Sequence, residues 1–191
     1  VRNLAIKKYH EIEKFSKPRS NIPMSDLEAL VEGTLLATRN SYEERKVPLL
    51  ANLIAKAPFT NTPIENLNHT LVEAERLTYR QLCILKVIDK NQWKGELNLS
   101  DVPFQDEEHK QFNEYAEGVY QDINLLIVNG IVGMMSENGK YAMMASGTGL
   151  IVPATLRTLY PGRLLVNGLE LSGISDTEVS TLIEILRKSS K

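Results

Sequence analysis

Only one cysteine, Cys83, occurs in the 191 residues. That excludes an internal disulfide and a multi-cysteine zinc site, and it fits a reducing compartment. No apolar run reaches the roughly 18 residues that a membrane-spanning helix requires. No signal-peptide pattern is read either, so a cytoplasmic location is the expectation. The start at Val1 rather than Met is read as compatible with a longer parent chain. Histidines number three, His10, His69 and His109, and none falls in an HExxH or comparable metal spacing.

The chain does have ample apolar content. Hydrophobic residues make up 42%, which is enough for a packed core and far from the disordered class. Charge is nearly balanced, at −2, but it is unevenly placed. Residues 1–20 carry Arg2, Lys7, Lys8, Lys14, Lys17 and Arg19 against Glu11 and Glu13, a balance of six minus two, or +4. Residues 91–125 carry two lysines against eight acids, or −6.

Helix starts are legible. Ser25-Asp-Leu-Glu28, Thr78-Tyr-Arg-Gln81 and Ser175-Asp-Thr-Glu178 read as capping boxes. Thr62-Pro63-Ile-Glu65 reads as a Thr cap with Pro at the first helical position. Apolar residues then recur at helical spacing. Stripes run through Leu27, Leu30, Val31 and Leu35, through Leu49, Leu50, Leu53 and Ile54, and through Ile64, Leu67, Leu71 and Val72. Pro48 either opens its helix or kinks a longer one from near Ser41. Leu82–Ile88 is apolar nearly all round and predicts the central buried helix. Phe112, Tyr115, Ala116, Val119, Ile123, Leu126 and Ile127 give the longest clean stripe at 3.6-residue spacing and predict a further helix. Val179, Leu182, Ile183 and Leu186 predict the last.

The pattern changes over residues 130–152. Ile131–Met135 and Lys140–Met144 flank Asn138-Gly139, a strong hairpin signal, and Leu150–Val152 is a candidate third strand. Residues 155–169 are expected to return to helix, and 91–103 to be a loop. The expected fold is therefore mainly α, a multi-helix domain with one small antiparallel β-hairpin. It reads as one domain, with a helical part over 1–76 and a second part over 77–191.

Within that second part, a helix opens at Leu77-Thr-Tyr-Arg-Gln-Leu-Cys-Ile-Leu85. Leu125-Leu-Ile-Val-Asn-Gly-Ile-Val132 then leads into the hairpin, and Leu159-Tyr-Pro-Gly-Arg-Leu-Leu165 follows it. This order over about 77–170 resembles the winged-helix-like helical domains of uncharacterised bacterial proteins. The chain departs from that pattern in its long loop after Lys90 and in Tyr160-Pro161 before the glycine. The resemblance implies a wing, and DNA binding as one function to test. The helix before the wing carries Asp106, Glu107, Glu108, Glu114, Glu117 and Asp122 against Lys110, so it would repel phosphates. Nucleic acid is therefore not the expected partner. The basic N-terminal arm is first a solvated helix face, with an anionic surface as the alternative.

The candidate chemistry is sparse. His109 reads as a solvated helix start, His69 as a surface residue near Glu65 and Glu73, and Cys83 as buried packing. Ser146-Gly-Thr-Gly149 lacks the Walker lysine and reads as a turn. No catalytic, cofactor or metal site is expected. Met134, Met135, Met143 and Met144 lie together in the hairpin, where strand alternation puts one of each pair on each face. Methionine adapts to varied partners, so these four form a possible partner surface for another protein or a second copy. The expected function is a non-enzymatic interaction or regulatory domain. A winged-helix transcription regulator is the first alternative and an enzyme of unidentified class the second.

Overall fold

A computed structural model describes residues 1–18, 22–40, 43–94, 96–101, 114–135, 141–142 and 151–187. The chain is mainly helical with one small antiparallel sheet, as the periodicity predicts. It divides into two compact units, residues 1–79 with 164–171 and residues 80–163 with 172–191. Residues 164–171, which the sequence places with the C-terminal part, cluster with the first unit.

The first unit holds α1 (Arg2–Glu13), α2 (Met24–Asn40), α3 (Val47–Lys56) and α4 (Ile64–Arg76). Pro48 lies in the opening turn of α3, where its missing N–H costs nothing, and a short 3₁₀ turn over Glu44–Lys46 precedes it. Both α1 and α2 pack on α3, and α2 also packs on α4. The last contact is close at Gly33, where an added Cβ would stand 3.2 Å from Leu71 Cδ2. Leu30, Leu50 and Leu53 are fully buried, and Asn52 and Lys56 of α3 donate to the carbonyls of Leu169 and Asn167.

Two helix starts differ from expectation. The N–H groups of Asp26 and Leu27 bond to the Pro23 carbonyl, so α2 begins ahead of Ser25. The Ser25 hydroxyl turns to the Asp26 carboxylate instead of closing a box. Pro63, not Thr62, is the cap residue of α4, and its φ of −56° with an extended ψ of 148° leads the chain into the helix. Thr62 is held by Thr60, whose hydroxyl lies 2.7 Å away.

The second unit is built on α5 (Tyr79–Lys94), α6 (Glu114–Val128) and α8 (Asp176–Arg187). Leu82, Cys83, Ile84, Leu85, Val87 and Ile88 are all buried, so α5 is the central buried helix. It runs to Lys94, past the expected loop boundary at Asn91. Leu97 and Leu99 then bury their side chains, and the Ser100 N–H bonds to the Leu186 carbonyl, so the predicted loop is partly core. α6 ends in a glycine motif: Gly130 adopts φ +67°, its N–H bonds to Ile127 and the Ile131 N–H to Leu126. At α8 the capping box is reciprocal, Ser175 N–H to the Glu178 carboxylate and Glu178 N–H to the Ser175 hydroxyl.

The sheet has the order β2-β1-β3, with β1 (Val132–Met135), β2 (Tyr141–Ala142) and β3 (Leu156–Thr158) antiparallel throughout. The third strand therefore lies later than expected and takes residues assigned to helix. Thr158 explains this. Its N–H and hydroxyl are both engaged by Gln92 of α5, so the segment stays extended until Leu159. α7 (Tyr160–Gly168) starts directly after it. No described helix is long and apolar enough to cross a membrane.

Candidate functional site

The first unit carries an open apolar groove of about 870 Å³. It lies within the size range of binding sites, roughly 300–1,000 Å³. α1 forms one wall through Ala5, Ile6 and Tyr9, and α2 forms the other through Met24, Leu27, Val31 and Leu35. Leu30, Ala55 and Ala57 are buried beneath.

Helical spacing creates the α2 wall. Leu27, Val31 and Leu35 recur every fourth residue and so stand in one row. The sequence pattern groups Leu27, Leu30, Val31 and Leu35 in one stripe. In the fold, Leu30 is buried together with Thr34 and Ala37. Leu27, Val31 and Leu35 line the groove, the first two half-buried and Leu35 exposed. Ile6 is 46% exposed, Met24 71% and Leu35 39%. From Met24 to Leu35 the wall spans three helical turns, roughly 16 Å.

The rims are charged. Glu28 and Glu32 stand one turn apart on α2, and Arg2 and His10 stand on α1. His10 faces Glu13 at 3.4 Å. Among the described residues, Glu28 and Glu32 have no ion-pair partner. Tyr9 packs its ring on Phe59 at 5.0 Å, and the groove-side burial of Tyr9, with Glu13 nearby, raises its pKa.

The residues singled out from sequence that the structure describes fall on different elements. Met134 and Met135 are half-buried in β1, where Met134 stands between Ala142 and Leu156. Met143 and Met144 lie outside the described residues, as do His109 and Ser146–Gly149. His69 is exposed on α4 and Cys83 is buried in α5. Among the described residues no three His, Cys, Asp or Glu side chains converge as a metal site would. Asp122, counted from sequence as a surface acid, is 6% exposed and paired with Arg80 and Gln81. Glu114 and Glu117 of the same helix are exposed.

Sequence reasoning missed the groove because its residues are ordinary core types. Only the packing of α1 on α3, two elements distant in sequence, decides which stripe is covered. Compared with family models, curated proteins and solved structures, the chain matches none.

Proposed function

We propose that this chain is a non-enzymatic interaction module, and that the α1–α2 groove is its working surface. The occupant is a protein segment with an apolar anchor and basic flanks. The groove itself carries this reading: three exposed apolar side chains line a three-turn trough beside two carboxylates with no ion-pair partner among the described residues. Covering the exposed parts of Ile6, Met24 and Leu35 contributes on the order of 1 kcal/mol each. The carboxylates of Glu28 and Glu32 supply orientation and selectivity for cations more than affinity.

A synthetic helical peptide tests this, with leucines at i, i+4 and i+7 and lysines alongside. Its fluorescence anisotropy should rise on titration with the protein, and the affinity should fall with salt. Met24→Asp and Glu28→Lys with Glu32→Lys should each abolish binding while leaving the melting temperature unchanged. An acidic version of the peptide that binds equally well would overturn the reading, as would binding that ignores these substitutions.

The order α6, β1, β2 supports a winged-helix reading of the second unit. The exposed Glu114 and Glu117 weigh against its use on DNA.

A further inference from the structure

We propose that the occupant of the groove is the segment Lys14–Lys17 of a second copy of this chain, anchored by Phe15. This rests on the groove being the working surface and names its partner.

Phe15 is 90% exposed, the most exposed large apolar side chain of the described residues. It sits in the turn that ends α1, where its N–H and that of Ser16 both bond to the Ile12 carbonyl. A phenylalanine side chain carries about 150–250 Å² of surface to bury, so leaving it in water is costly. Phe15 is not among the residues that line its own groove, which takes Tyr9, His10 and Pro18 from this stretch of chain.

Charge complementarity selects the recipient. Lys14 and Lys17 flank Phe15, are exposed, and have no ion-pair partner among the described residues. Glu28 and Glu32 on the groove rim are exposed and unpaired in the same way. An apolar knob between two cations thus meets an apolar trough whose α2 rim carries two anions, while Arg2 and His10 stand on the α1 rim opposite. Both features belong to every copy, so the contact can be exchanged reciprocally about a two-fold axis, and the assembly closes at two.

Sedimentation equilibrium up to about 1 mM chain tests this in low salt. The apparent mass should rise from 21.5 kDa toward twice that value with concentration, and should fall back when salt is added. Phe15→Asp should remain monomeric at every concentration. Lys14→Glu with Lys17→Glu should be monomeric alone, and so should Glu28→Lys with Glu32→Lys. An equimolar mixture of those two double variants should dimerise, because each segment then meets a groove of opposite sign. All five positions are exposed, so circular dichroism melts of the variants should match the unmodified protein.

A monomeric unmodified chain at 1 mM would overturn the proposal, as would a dimer indifferent to Phe15→Asp or a mixture that stays monomeric. A monomer that still binds the lysine-bearing peptide overturns the second copy alone. A monomer that binds neither overturns the groove as well.

Discussion

The Arg80 guanidinium holds the Asp122 carboxylate through its Nε at 2.5 Å, joining α5 to α6. Gln81 donates a second bond to the same carboxylate at 3.0 Å, and Arg80 also reaches the Gly118 carbonyl and lies over the Tyr115 ring. The two partners are unequally placed. The Asp122 side chain is 9% exposed and that of Arg80 39%. Removing the arginine strands a buried anion, whereas removing the anion leaves a cation that water can reach. Arg80→Met should therefore cost about 2–4 kcal/mol and Asp122→Asn about 1–2 kcal/mol. Urea unfolding of both variants checks the order, and equal losses would show that the burial difference has no weight.

Lys46 caps the end of α4. Its ammonium donates to the carbonyls of Glu75 at 3.0 Å and Leu77 at 2.7 Å, while Glu43 accepts from the Tyr79 N–H at 2.9 Å. The cation thus satisfies the end of one helix and the anion the start of the next. Lys46→Met should cost about 1–3 kcal/mol through the stranded carbonyls. Burial lowers the Lys46 pKa from 10.5, against Glu43 and Glu75, which raise it. The unfolded chain therefore holds this proton to higher pH than the fold does. Between the lowered value and 10.5, stability rises with pH on this account. The gap between the unmodified protein and Lys46→Met should widen as pH approaches 10.5, which paired urea melts would register.

Asp176 has the same sign in an acid window, because its pKa is lowered too. Hydrogen bonds from Lys90 and then Lys86 hold its pKa at about 2, below the ordinary 3.8. Lys86 is itself buried and also donates to the Ile174 carbonyl. A carboxylate with a depressed pKa stabilises the fold above 3.8 and loses that contribution as pH falls toward 2. The unmodified protein and Asp176→Asn should therefore differ most near neutral pH and converge in that acid window. Thermal melts at both ends would decide it, and a constant difference would contradict the linkage.

Gly162 permits a close approach at the start of α7. A Cβ there would collide with the Ile131 carbonyl oxygen, which also accepts from the Leu159 N–H. Backbone on both sides cannot yield cheaply. Gly162→Ala should destabilise by about 2–4 kcal/mol. Gly118→Ala should cost less, since its Cβ would meet only the Arg80 guanidinium at 3.0 Å. Chemical denaturation of the pair tests the contrast.

Periodicity made most helices legible, because a buried stripe such as Leu82–Ile88 needs no knowledge of its neighbours. Ser175-Asp-Thr-Glu178 also formed as written, since a capping box is closed within one turn. Failures arose where distant partners decide. Residues 156–158 look helical alone, but pairing with β1 and the grip of Gln92 make them a strand. Asp122 looked like a surface acid because its partner Arg80 lies 42 positions away. The groove was hidden for the same reason: Leu27, Leu30, Val31 and Leu35 form a valid core stripe, and only tertiary packing buries Leu30 while leaving Leu35 exposed.

The return of residues 164–171 to the first unit has a consequence for synthesis. When the ribosome has made Tyr79, the side chains of Asn52 and Lys56 still await the Leu169 and Asn167 carbonyls. Some ninety further residues must be added first, roughly 5–20 s of translation. Through that interval the amino-terminal helices are exposed as an incomplete bundle, and a nascent chain stalled before Asn167 presents an unfinished surface to chaperones and proteases.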